Sequence, residues 1–306
     1  MSNALIYQRD ALAARFPEKP FIRQDRRWGL LDTGPVAAGQ GTTPALLLLP
    51  GTLGRGDVFF HQIDALAPQI RVLAVSYPAR GKLTAWLSDL TAIIEAQGLD
   101  KVAVLGTSLG GYIAQMLAAT RPEKVSHLFA ANTLPSVREL PHRRPFSLDL
   151  WRAPIADLRA GFGDTLVDWR ASHPSEADLI DLLMAELNGR IPEPELRARM
   201  DVLKGADELP ECPLPADDVT LIDAEDDPLI PLQWRQRLRG QLDAGAAFRF
   251  QTGGHFPYLA HPSQYTAVIR YRLGLDPRAP GWVRGNGNTA DPEPSRAVYV
   301  SSDIAP

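Results

Sequence analysis

One cysteine, Cys212, stands among 306 residues, so no disulfide can form within the chain. A lone thiol fits a reducing compartment. Long apolar runs are missing too. The longest, Ala45 to Leu49, falls far short of the roughly 20 residues that a membrane-spanning helix needs. Near the start, Arg9, Asp10 and Arg15 interrupt the apolar residues of Met1 to Phe16, leaving no apolar stretch for a secretory signal. A cytoplasmic protein is expected. Excess charge is also absent: a formal net charge of −4 gives no electrostatic reason to expect nucleic acid or an anionic membrane as partner. There is no fixed-period repeat, no metal-binding cluster and no cofactor motif.

What is present is an ordinary globular composition, 45% hydrophobic and 22% charged, sufficient for a full core. Short apolar runs alternate with helix-patterned stretches, the signature of a parallel sheet with crossover helices. Candidate strands are Trp28–Asp32, Ala45–Leu49, Arg71–Ser76, Lys101–Gly106, Val125–Ala131, Val219–Ala224 and Ala247–Gln251. Several are continuously apolar, as expected of strands covered on both faces. Helical spacing links Leu83, Trp86, Leu87, Leu90, Ile93 and Ile94, with Gly98 as the stop. Further helices are expected at Tyr112–Ala119, Leu232–Leu242 and Pro262–Leu273.

The alternation breaks after Ala131. From Leu134 to Pro215 there are helical patterns and prolines but no persuasive strand. Trp151, Leu158, Phe162, Leu166 and Trp169 read as one amphipathic unit, with others at Leu179–Leu187 and Leu196–Leu203. The expected organisation is an α/β core over residues 17–133 and 216–275, with a helical cap over 134–215. A helical segment over 1–16 precedes it. The tail, 276–306, is rich in Pro, Gly, Asn and Ser and reads as disordered, apart from a possible strand at Ala297–Val300 that docks on a partner.

Chemistry concentrates at the ends of the expected strands. Gly106-Thr107-Ser108-Leu109-Gly110 joins a buried strand to a helix, the placement of a nucleophile elbow. Flanking glycines allow the close approach of strand and helix, and Gly111 adds clearance. The turn lacks the Lys-Ser/Thr ending of a phosphate-binding loop and the glycine order of a dinucleotide fingerprint. Ser108 needs a base. Of the six histidines, His255 follows a late strand through Thr252-Gly253-Gly254, so its loop can fold over the sheet edge. His127 falls inside a strand and reads as a core residue, and His261 as a surface or capping residue. His61, His142 and His173 carry no comparable context.

The imidazole needs a carboxylate to orient it. Asp227, before Pro-Leu-Ile-Pro, has the best posture, with Asp226 its nearest rival, Asp223 third and Glu225 beside them. Asn132, after the preceding strand, cannot be the anion. The chain order Ser108, Asp227, His255 is that of nucleophile-elbow hydrolases. An oxyanion would meet the backbone N–H of Leu109 and, from the turn Pro50-Gly51-Thr52-Leu53-Gly54 after an early strand, that of Thr52.

These features resemble the α/β-hydrolase fold from about Phe16 to Leu275: a mostly parallel central sheet flanked by helices, with a helical cap insertion. More narrowly, the chain is similar to the maspardin family. That likeness rests on Leu31-Asp32-Thr33-Gly34-Pro35, Leu48-Leu49-Pro50 with Asp57-Val58-Phe59-Phe60, Ser76-Tyr77-Pro78, Ser108-Leu109-Gly110-Gly111, and Thr252-Gly253-Gly254-His255-Phe256-Pro257-Tyr258-Leu259. The superfamily resemblance implies a cofactor-free serine hydrolase acting on a small-molecule ester or thioester. The narrower one implies a binding or adaptor protein with a protein partner, although this chain retains His255 where the family's triad histidine is lost. Arg143 and Arg144 read as an exposed basic pair, with attraction of an anionic substrate group the alternative.

Overall fold

A computed structural model describes residues 3–36, 45–284 and 297–301. In chain order the elements are α1 (Ala4–Arg15), β1 (Lys19–Arg23), β2 (Arg26–Asp32), β3 (Ala45–Leu49), α2 (Phe60–Leu66), β4 (Val72–Ser76), α3 (Leu83–Ala96), β5 (Val102–Thr107), α4 (Leu109–Thr120) and β6 (Val125–Ala131). Next come α5 (Ile155–Ser172), α6 (Ala177–Ala185), α7 (Glu193–Lys204), β7 (Val219–Ala224), α8 (Leu232–Gln241), β8 (Ala246–Phe250), α9 (Pro257–Ala260), α10 (Pro262–Arg272), β9 (Trp282–Arg284) and β10 (Ala297–Ser301).

The strands form one sheet in the order β1-β2-β4-β3-β5-β6-β7-β8-β10-β9. From β4 to β10 neighbouring strands are parallel, while β1, β2 and β9 are antiparallel additions at the two edges. Every residue of β3, β4, β5 and β7 is buried, which is why they read as continuous apolar runs rather than alternating ones. Parallel strands deliver the loops after β3, β5, β6, β7 and β8 to one edge, where ligands of open α/β sheets bind.

Between β6 and β7 the chain is helical with no strand, and α5, α6 and α7 carry the expected apolar patterns. Trp151 departs from its expected place: it lies in a turn before α5 with 53% of its surface exposed, because Pro154 sets the helix start after it. Asn3 caps α1 by accepting from the Leu5 and Ile6 N–H groups, and its amide donates to Asp178 O in α6. Arg9 of α1 pairs with buried Glu186 at 2.7 Å, and Arg190 bridges Glu186 to Asp57. Burial raises the Glu186 carboxyl above its ordinary range, and the two arginines oppose that.

The tail is the main correction. Expected to be disordered, it supplies β9 and β10, and β10 pairs in parallel with β8 of the same chain rather than with a partner. Aromatic packing explains the docking. Tyr299 stacks on Phe248 at 4.7 Å, and Trp282 meets Phe250 edge-on at 4.7 Å. Residues 285–296 and 302–306, also expected to be disordered, lie outside the described residues. Strand β1 was not anticipated either; it is a largely exposed edge strand with no apolar run.

Candidate active site

Ser108 sits between β5 and α4 with φ 54° and ψ −118°. A residue with a side chain holds such a conformation at a cost of about 1–3 kcal/mol, so its surroundings must enforce it. They do so by hydrogen bonds and by close backbone approach. The Ser108 N–H donates to Ala131 O at 3.0 Å, and its carbonyl accepts from Tyr112 N–H and from Thr133 Oγ1 at 2.7 Å. A Cβ on Gly106 would lie 2.0 Å from Gly110 O, and one on Gly110 would lie 2.0 Å from Leu49 O. The glycines therefore let the elbow wedge against the end of β3.

The loop after β8 turns back through Gly253 (φ 111°) and Gly254 (φ 55°). It delivers His255, 4% exposed, with Nδ1 against Asp227 at 2.9 Å from Oδ2 and 3.1 Å from Oδ1. Asp227 follows β7 and is buried. Its Oδ1 accepts from the N–H groups of Leu229 and Ile230, and its Oδ2 from Asn132 Nδ2 at 2.9 Å. Both carboxylate oxygens are thus engaged in keeping one orientation.

The rival acids do other things. Asp226 accepts from the N–H groups of Gly253 (3.1 Å) and Gly254 (2.9 Å), pinning the loop that carries His255. Asp223 pairs with Arg239 and Arg249 at the end of β7, and Glu225 is exposed. Asn132, set aside as a candidate anion, proves to be a partner of the anion. At φ 41° it donates its side-chain amide to Asp227 and to Gly254 O, tying β6 to both later loops. The signal was an Asn directly after a strand, since Asn tolerates the left-handed region.

The other histidines lie elsewhere. His127 is buried with Nε2 2.8 Å from Thr220 Oγ1, and burial pushes its pKa down to about 3. His261 is the N-cap residue of α10, its carbonyl accepting from Tyr265 N–H, but its side chain makes no capping bond: the ring stacks on Phe250 and Nε2 meets Thr252 Oγ1. His142 is exposed, His173 meets Ser172 and lies edge-on to the Trp169 ring, and half-buried His61 packs on Phe60.

Ser108 and His255 line one small cavity, together with the turn Gly51 to Gly54, Phe256 and Tyr258. A Cβ on Gly51 would sit 3.3 Å from Ser108 Cβ, so this turn lies directly beside the nucleophile position. Leu109 opens α4, where helix-terminal N–H groups lack intrahelical partners. A second, larger cleft also reaches Ser108 and Thr52. Its wall comes largely from the helical insertion, including Phe146, Phe162 and Leu203. Arg143 and Arg144 stand on it: Arg143 lies 4.1 Å over the Trp234 ring and 3.8 Å from Glu139, and Arg144 is exposed. Among the described residues no His/Cys/Asp/Glu group is arranged to hold a metal, and no helix is long and apolar enough to cross a membrane.

Strand order, elbow and loop placement define an α/β-hydrolase architecture. The sequence model of the alpha/beta hydrolase fold matches residues 44–211, and the chain belongs to that family. Within it the chain resembles maspardin: it is 26% identical to the Homo sapiens protein over 267 residues, covering 84% of this chain and 83% of that one. It is also 26% identical over 247 residues to the pimeloyl-[acyl-carrier protein] methyl ester esterase of Yersinia enterocolitica serotype O:8 / biotype 1B, covering 76% of this chain and 93% of the esterase. The crystal structure of a hydrolase from Pseudomonas aeruginosa PA01 superposes with a TM-score of 0.71 at 17% identity, covering 84% of this chain and 98% of that one.

Proposed function

We propose that the protein is a serine hydrolase that cleaves a carboxylic ester or thioester through an acyl-enzyme intermediate. The observation that carries this reading is the buried Asp227 carboxylate on His255 Nδ1, with His255 and the strained Ser108 facing one cavity. In this reading His255 Nε2 takes the Ser108 hydroxyl proton as Oγ attacks the acyl carbonyl. Asp227 keeps the proton on Nδ1 and stabilises the imidazolium. The backbone N–H groups of Thr52 and Leu109 receive the oxyanion. The alcohol or thiol leaves with the proton from His255, and a water deprotonated by His255 releases the acid. Phe146, Phe162 and Leu203 on the larger cleft offer apolar surface to a small to medium acyl group, beside the polar Arg143 and Arg144.

A non-catalytic binding protein that keeps fold and pocket is the rival, favoured by the likeness to maspardin. Fluorophosphonate labelling of the folded protein and an ester and thioester panel separate the two. The expected result is an adduct on Ser108, absent in Ser108→Ala, and turnover at least about 10³-fold lower in His255→Ala. Neither adduct nor turnover in the folded wild type would leave the binding reading.

A further inference from the structure

We infer that Arg199, on α7 of the helical insertion, is a positioning residue that sets the turn Gly51–Gly54 as the oxyanion-binding wall of the site. This rests on the hydrolase reading and deepens it. Arg199 is wholly buried, and its Nη1 donates to Thr52 O at 2.9 Å and Gly54 O at 2.7 Å. Tyr77 holds the start of the same turn, its Oη donating to Pro50 O at 2.8 Å, and the Arg199 guanidinium lies 5.3 Å from the Tyr77 ring centroid. Within the turn, Gly54 N–H closes onto Gly51 O at 3.3 Å.

The carbonyls of Pro50, Gly51, Thr52 and Gly54 are therefore all engaged by named donors. In a trans peptide the N–H points opposite to the carbonyl of the same unit. Fixing these carbonyls fixes the direction of the Gly51, Thr52 and Leu53 amides, in a turn that lines the cavity with Ser108 and His255. Arg199 on Thr52 O polarises the unit that carries the Leu53 N–H, whereas the Thr52 N–H shares its unit with Gly51 O and is aimed indirectly, through the Gly54 N–H that closes the turn Arg199 holds.

A guanidinium buried in this way is costly unless its geometry is good. Burial lowers the Arg199 pKa to about 10, so it stays charged at neutral pH. Its acidic partner, Glu195, is 3.3 Å away and shared with Arg55. Plain anchoring of the insertion would not require this placement. Anchoring to the core is also supplied elsewhere, by Arg190 on Asp57 and by Tyr112 Oη donating to Asp207 O, while the neighbouring Arg197 donates only to Leu150 O and Ala153 O within the insertion and to Glu193 on its own helix.

The test measures kcat, KM and the affinity of a trifluoromethyl ketone, which forms an anionic adduct with the active serine, in wild type, Arg199→Met, Arg199→Lys and Tyr77→Phe. Thermal melting checks folding. The expected result for Arg199→Met is a kcat about 10²-fold lower at nearly unchanged KM, with ketone affinity falling in parallel. Arg199→Lys should recover part of the loss, and Tyr77→Phe should lose roughly 3- to 10-fold. Folded Arg199→Met with wild-type kcat and ketone affinity overturns the positioning role and leaves the hydrolase reading intact. If that variant does not fold, unchanged values in Tyr77→Phe overturn it instead. A wild type with neither turnover nor ketone binding removes the hydrolase reading itself, and this inference with it.

Discussion

Two buried histidines occupy opposite ends of the sheet, and their neighbours differ in one decisive respect. His255, beyond the carboxyl end of β8, faces a carboxylate whose other lone pairs are taken by three further donors. His127, near the amino end of β6, faces the neutral hydroxyl of Thr220, which also accepts from Arg272. Burial alone disfavours an imidazolium. At the carboxyl end a fixed anion is placed to stabilise it; at the amino end a nearby cation adds to the penalty. The residue type is the same, but only one of the two has a carboxylate partner.

The sharpest way to break this contrast is Asp227→Asn. Shape is kept and the charge removed, so turnover of a reactive ester should fall about 10⁴-fold, with the fold unchanged by circular dichroism. Turnover within 10-fold of wild type would show that His255 does not depend on that charge. Next comes Asp226→Asn, which weakens the clamp on the Gly253 and Gly254 amides without touching His255. A loss of roughly 10- to 100-fold in kcat/KM is expected from misplacement of the loop. An unchanged value would make that clamp incidental.

At the amino end, His127→Gln should leave kcat/KM unaltered and change stability only. The folded-state pKa is depressed to about 3 from an unfolded value near 6.5. The stabilisation is therefore complete above pH 6.5 and is lost as pH falls through that value toward 3. The wild-type slope should approach about 1.4 kcal/mol per pH unit from this one group. Urea midpoints between pH 7.5 and 4.5 should fall less steeply in the variant, and equal slopes would remove His127 as the cause.

Much of this was legible in the sequence because strand-end motifs are local. The elbow around Ser108 and the Gly-Gly-His run each announce a turn that only small residues permit. The choice of Asp227 over Asp226 was harder, since adjacent carboxylates leave a turn in different directions and sequence carries no direction. Asn132 and Arg199 were missed for another reason. Their contacts are with residues 95 and 147 positions away in the chain, which no periodicity encodes. The tail misled because its Pro- and Gly-rich composition conceals two short strands whose pairing depends on aromatics of β8 and of the tail itself.

The docking of β10 on β8 also bears on how the protein is handled. Helical patterning stops near Leu275, an attractive place to truncate the chain for expression. Cutting there would strip the cover from β8, baring a row of unpaired N–H and C=O groups beside Phe248. Such an edge is a template for self-association. By pairing with β8, β10 keeps that row of groups covered.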